Sequence, residues 1–97
     1  MWQIKIHHLV LDEDFRNVNK KDQSVILKTI YKKLSTAPKE YGAPLRHELK
    51  GLWKLKISGY RIVYKIEDAN VRVLVVKVGI RRDEEVYKQM IKRLKKI

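Results

Sequence analysis

The chain has no cysteine among its 97 residues. That excludes disulfides, thiolate metal sites and cysteine nucleophiles together, and it fits a reducing compartment. No uninterrupted apolar stretch approaches the roughly 18 residues of a membrane-spanning helix. The opening residues, MWQIKIHHLVLDEDF, lack a basic leader followed by an apolar run. No secretory signal and no membrane attachment are therefore expected, and the expected location is cytoplasmic. Glycine and proline are scarce: both prolines and two of the four glycines fall within residues 36–51. Acid is scarce as well, with 11 Asp and Glu against 23 Lys and Arg, a net charge of +12.

What is present is a patterned, basic chain of single-domain size. The hydrophobic fraction of 44% is ordinary for a globular protein. Residues 50–97 hold 14 basic and 5 acidic residues, whereas residues 1–49 hold 9 and 6. A charge gathered in one half points to a polyanionic partner, nucleic acid first and an acidic protein second. Trp2, Ile4 and Ile6 alternate as a first strand, and Leu11, Phe15 and Val18 have the spacing of a short helix. Asn19 suits an N-cap, with Asp22 three residues on. Ile26, Leu27, Ile30, Tyr31 and Leu34 then form the apolar stripe of a helix ending near Ser35, ahead of Pro38. Residues 36–51 read as a long ordered loop tacked down by Leu45 and Leu49. Strands follow over about 52–57, 60–67 and 71–79, the last nearly all apolar and so expected in the sheet centre. Acids at 83–85 and bases at 92–96 match the dipole of a final helix, whose buried stripe is expected to be Val86, Met90, Leu94 and Ile97. The order β-α-α-β-β-β-α predicts an α+β domain: a mainly antiparallel four-stranded sheet with helices chiefly on one face.

The segment GLWKLKISGYR carries the chemistry. A two-residue turn at Ser58-Gly59 sets Lys56 opposite Arg61 and Lys54 opposite Val63. Trp53, Leu55, Ile57, Tyr60, Ile62 and Tyr64 then face the core, and Lys54, Lys56 and Arg61 share the other face. Like charges opposite one another in a sheet are unfavourable, and the hairpin contains no acid to offset them. An anionic ligand is the natural counter-ion, because arginine forks phosphate and lysine supplies a mobile point charge. A solvated strand face with screened lysines is the alternative. Arg81, Arg82 and Tyr87 lie where the last strand passes into the last helix. If that strand runs beside residues 60–67, both groups border one basic groove; for Tyr87 the alternative is a half-buried aromatic packing beside Ile91.

The stretches LKGLWKLKISGYRIVYKI and VLVVKVGIRRDEEVY resemble the RelE branch of the RelE/ParE toxins of prokaryotic type II toxin–antitoxin systems. The likeness is most specific over residues 49–87. It implies a ribosome-dependent mRNA endoribonuclease (an mRNA interferase) that cuts A-site mRNA without metal or cofactor, by attack of the RNA 2′-OH on the adjacent phosphate. It implies a cognate antitoxin, the ribosome and mRNA as partners. Carried over residue by residue, the catalytic set is Lys54, Lys56, Arg61, Arg81 and Tyr87. The cations expected to hold RNA or the ribosome are Lys50, Lys54, Lys56, Lys77, Arg61, Arg81 and Arg82. Tyr87 is the candidate base and Arg81 the candidate acid, with the neighbouring cations favouring a phenolate, since opposite charge favours the ionised form. Related toxins often use a histidine or glutamate for such work. Here His7, His8 and His47 fall outside the matching segment and are assigned to surface or packing positions. Two other functions fit the same chain: a ParE-like, non-enzymatic inhibitor of DNA gyrase, and a non-catalytic basic RNA- or ribosome-binding module. The joint presence of Lys-x-Lys, Arg61 and Arg81…Tyr87 favours the ribonuclease.

Overall fold

A computed structural model describes residues 1–80 and 83–97, with Asp83 described by its backbone. The strands are β1 (Gln3–Ile6), β2 (Ala43–Pro44), β3 (Leu52–Ile57), β4 (Tyr60–Glu67) and β5 (Arg72–Ile80). The helices are α1 (His8–Asp12), α2 (Lys20–Leu34), α3 (Pro38–Tyr41) and α4 (Asp83–Arg93). A 3-10 turn over Asp14–Asn17 joins α1 to α2. The helix boundaries follow local chemistry. The Asn19 side chain accepts the Asp22 N–H at 2.8 Å, the N-cap expected for α2. Ile26, Ile30 and Leu34 of the expected stripe are buried, while Tyr31 turns outward and is half exposed.

The α+β class holds, with five strands in the order β1-β5-β4-β3-β2 rather than four. The added strand is β2, inside the expected loop, where Ala43 pairs with Lys54 and Pro44 with Trp53. Pro44 has no N–H to extend the ladder, so this edge stays two residues long. β1 runs parallel to β5 and the other pairs are antiparallel.

α1 and α2 share one face of the sheet, and α4 covers the other. Val10, Phe15, Ile26, Ile30 and Leu34 pack with Leu55, Ile62, Tyr64, Val73 and Val75 on one side. Val86 and Met90 of α4 pack with Leu49, Leu52, Val63 and Val76 on the other. Apolar residues point both ways from β4 and β5, so each face needs a cover.

A buried ionic cluster joins the two layers around the edge of β5. β1 pairs with β5 only as far as Val75, with His7 N–H donating to the Val75 carbonyl at 2.9 Å. Beyond that point the Asp14 carboxylate takes the place of a strand and accepts the Val78 N–H at 2.8 Å. The Arg93 guanidinium grips the same carboxylate with two bonds, 2.7 and 2.8 Å, and donates to the Val76 carbonyl at 3.0 Å. Lys77 Nζ completes the set at 3.0 Å from Asp14. This corrects two expectations. The buried stripe of α4 is Val86, Met90 and Arg93, while Leu94 and Ile97 are 36% and 42% exposed. Lys77, expected among the RNA-holding cations, is 7% exposed and committed to Asp14.

Two stability predictions follow from these contacts. Asp14→Ala leaves Arg93 and Lys77 buried without their carboxylate and should cost about 3–5 kcal/mol in urea unfolding. Asp68→Ala removes the exposed Lys39 pair and should cost less than ~1 kcal/mol. His7 Nδ1 caps α1 by accepting the Leu9 N–H at 3.1 Å. Its pKa is held below the ordinary value by burial first, then by the charges of His8 and Arg93. The unfolded chain therefore binds this proton more readily, so the stabilisation is present above about pH 6.5 and is lost as pH falls below it. Thermal melting should decline from pH 7.5 towards 5.5, and His7→Asn, which keeps a cap acceptor without a titrating ring, should flatten that decline.

Candidate functional site

The β3–β4 hairpin turns at Ser58-Gly59, where Ser58 takes the positive φ, 52°. Its register pairs Ile57 with Tyr60, Lys56 with Arg61, Leu55 with Ile62, Lys54 with Val63 and Trp53 with Tyr64. This is the pairing expected from a two-residue turn. Trp53, Leu55, Ile57, Tyr60, Ile62 and Tyr64 all pack into the core under α2. Lys54, Lys56 and Arg61 consequently project from the opposite face, the one that α4 covers.

Two tyrosines fix the hairpin. The Tyr64 hydroxyl donates to the Pro38 carbonyl at 2.6 Å, and burial pushes its pKa well above the usual phenol value. Gly42 lies against that ring, where a Cβ would collide with the hydroxyl, so β2 can close on the β3 edge that carries Lys54. Tyr60 donates to Asp22 at 2.7 Å, tying the turn to the first turn of α2. That hydrogen bond, followed by burial and the Asp22 charge, raises the Tyr60 pKa.

The other half of the site arrives along β5. Ile80 pairs with Tyr60 and Gly79 with Arg61, so the chain leaves the sheet beside the hairpin turn, as expected. Arg81 and Arg82 lie outside the described residues. Gly79 matters here because a Cβ would run into Val86, and its absence lets the first turn of α4 settle on the strand. Tyr87 follows Val86 and is half-buried. Lys54 Nζ stands 5.9 Å from the Tyr87 ring centroid, within cation–π range. Arg61 is partly buried, with Nη1 donating to the Tyr60 carbonyl at 3.3 Å. Lys56 is exposed on β3, and Lys50 is exposed just ahead of that strand.

Lys54, Lys56, Arg61 and Tyr87 are thus gathered on one face, and Lys77 is withdrawn from it. The arrangement offers cations for a polyanion and, beside Lys54, a tyrosine whose hydroxyl oxygen is buried against the fold rather than open to solvent. Arg46, His47 and Glu48 line, with Tyr87 and Ile91, a hollow of about 280 Å3. His47 is exposed and carries a φ of 57°. Its approach to Tyr87 depends on how residues 45–49 fold back onto α4. The one local signal was the neighbouring Leu49, which is buried beneath that helix. Among the described residues no group of three or more His, Asp or Glu side chains gathers as a metal centre, and no helix is long and apolar enough to cross a membrane.

Comparison with known proteins supports a family assignment. The family model described as the ParE toxin of the type II toxin–antitoxin system, parDE, matches residues 11–85. The mRNA interferase toxin RelE of Escherichia coli K12 is 49% identical over 41 residues, covering 42% of this chain and 43% of that protein. That match spans less than half the length of the relative. The crystal structure of the isolated E. coli RelE toxin aligns at 27% identity with a TM-score of 0.66, over 97% of this chain and 99% of that one. A chain of the intact E. coli RelBE toxin–antitoxin complex aligns at 25% identity with a TM-score of 0.66, over 84% of this chain and 99% of that one. The chain belongs to the RelE/ParE family of type II toxin–antitoxin toxins and, within it, to the RelE branch.

Proposed function

We propose that this protein is the toxin of a type II toxin–antitoxin pair and inhibits translation as a ribosome-dependent mRNA endoribonuclease. The observation that carries this reading is the meeting of Lys54, Lys56 and Arg61 with Tyr87 on one face of the sheet. Those residue types suit a reaction in which RNA supplies its own nucleophile. The 2′-oxygen attacks the adjacent phosphorus, and Tyr87 accepts its proton. The bond from phosphorus to the 5′-oxygen breaks, and Arg81 stabilises or protonates that leaving oxygen. The products are a 2′,3′-cyclic phosphate and a 5′-hydroxyl, and no metal enters the scheme. Arg61, Lys54 and Lys56 stabilise the phosphorane, whose negative charge exceeds that of the ground-state phosphate. Holding the nucleophile, phosphorus and leaving oxygen in line is the second contribution, and the ribosomal A site supplies the ordered mRNA.

The cognate antitoxin is the proposed protein partner, since RelE of E. coli is found in complex with RelB. A net charge of +12 favours an acidic or amphipathic antitoxin segment. Work on the ribosome places the toxin in the cytoplasm.

Cleavage of a defined mRNA in a translation extract tests the reading. Wild type should cut in the A site. Tyr87→Phe should lower the rate by roughly 10²–10⁴-fold, as for loss of a general acid or base. Arg61→Ala should lower it by about 10²–10³-fold, as for loss of a transition-state donor. Full-rate cutting by both variants would remove these residues from the reaction. The family model's ParE description makes gyrase inhibition the second reading. Gyrase-dependent DNA damage without mRNA cutting would establish it, and ribosome binding with neither outcome would leave a non-catalytic module.

A further inference from the structure

The buried stripe of α4 departs from the rule that its sequence suggests. By spacing and hydropathy, Val86, Met90, Leu94 and Ile97 form the apolar edge of this helix. The structure instead buries Val86, Met90 and Arg93, and leaves Leu94 and Ile97 partly in solvent. At about 100° per residue, Val86, Met90 and Arg93 fall within an arc of about 60°, whereas Leu94 and Tyr87 lie about 80–100° round the helix from Val86. Ile97 lies beyond α4, past the 3-10 turn Leu94–Lys96, so the two stripes differ in which residue faces the sheet, Leu94 or Arg93, and these correspond to two rotations of α4 about its axis. Rolling towards the first would bury Leu94, lift Arg93 out and move the Tyr87 ring away from its place beside Lys54.

What holds the second rotation is the bidentate grip of Arg93 on Asp14, together with its bond to the Val76 carbonyl. Asp14 is fixed in turn by the Val78 N–H and by Lys77. The clasp therefore registers α4 against the strand that leads into residues 81–82. Tyr87 lies six residues before Arg93, about 9 Å along the helix. A forked guanidinium on a buried carboxylate is a directional contact, unlike the apolar contacts of Val86 and Met90, which tolerate rolling. Buried ion pairs are best attested as devices that select one arrangement among several.

We propose that Asp14 and Arg93 are positioning residues: their ion pair selects the rotation of α4 that holds the Tyr87 ring beside Lys54 on the basic face. This rests on the ribonuclease reading only for its effect on activity.

The test uses the full chain. Asp14→Asn with Arg93→Met removes both charges of the clasp, leaves buried Lys77 facing a neutral amide oxygen in place of the carboxylate, and fills the volume of the arginine stem. Ring resonances of 13C-labelled tyrosine report Tyr87, assigned with Tyr87→Phe, and its Overhauser contacts to the Lys54 methylenes report its place beside Lys54. The proposal expects a folded double variant by circular dichroism, loss of the Tyr87–Lys54 contacts, and at least a tenfold fall in kcat for A-site cleavage with KM changed less than threefold. Adding Leu94→Lys, which removes the apolar alternative, should restore the Tyr87 contacts and most of kcat. A folded double variant with wild-type Tyr87 contacts overturns the proposal, and so does failure of Leu94→Lys to restore them. If the double variant does not fold, Arg93→Lys alone is measured the same way: lost contacts support the proposal and retained contacts overturn it. If Tyr87→Phe cuts mRNA at full rate, the ribonuclease role of Tyr87 falls, while the resonance measurement still decides whether the clasp positions the ring.

Discussion

The carboxylate of Asp14 sits 2.7 and 2.8 Å from the Arg93 guanidinium, inside a chain whose cations outnumber its acids by more than two to one. Three elements distant in sequence meet at this carboxylate: the 3-10 turn after α1, the open edge of β5, and the last turn of α4. Without it, β5 would present free backbone groups beyond Val75, and α4 would rest on the sheet through apolar contacts alone. Two cations share one buried acid, with Glu13 adding a longer contact to Arg93 at 3.4 Å. Desolvation of these charges is tolerable only because nearly every donor and acceptor finds a partner with good geometry. The same saturation makes the cluster directional.

From that anchor the division of labour between the sheet faces follows. One face takes α2 and the larger apolar cluster, and the strand residues that point that way are aromatic or aliphatic. The other face is only partly covered by α4, leaving room at its margin for Lys54, Lys56 and Arg61, with the Tyr87 ring beside Lys54. Alternation along β3 and β4 thus turns one hairpin into both a core wall and a cationic surface. Gly79 and Gly42 each remove a side chain where a neighbouring element has to close in, one under Val86 and the other against Tyr64.

Much of this was legible in the sequence where the determinants are local. A two-residue turn flanked by strict alternation leaves one register for β3 and β4, and the pairs observed are those. Asn19 and Asp22 are three residues apart, so the start of α2 could be read directly. Long-range determinants were hidden. The partners of Asp14, namely Lys77 and Arg93, lie 63 and 79 residues along the chain, and nothing near any of the three announces a buried charge. Lys77 therefore read as one more surface cation, and Leu94 as the natural core residue of α4. The two-residue strand at Ala43–Pro44 escaped for another reason. Proline and its neighbours carry no strand signal, and the pairing arises because β3 needed an edge partner. Periodicity also reveals that a helix has an apolar stripe without saying which face of the sheet receives it, so the sequence assigned α4 to no particular face.

The central proposal is that the RNA supplies the nucleophile, while this face orients it, moves its proton and stabilises the phosphorane. The most direct measurement is cleavage of an mRNA programmed in the ribosomal A site with a single 2′-deoxy substitution at the nucleotide whose 2′-oxygen would attack. The account predicts that the all-ribose message is cut to a 2′,3′-cyclic phosphate and a 5′-hydroxyl, and that the substituted message stays intact at that bond. Equal cutting of both messages would contradict it.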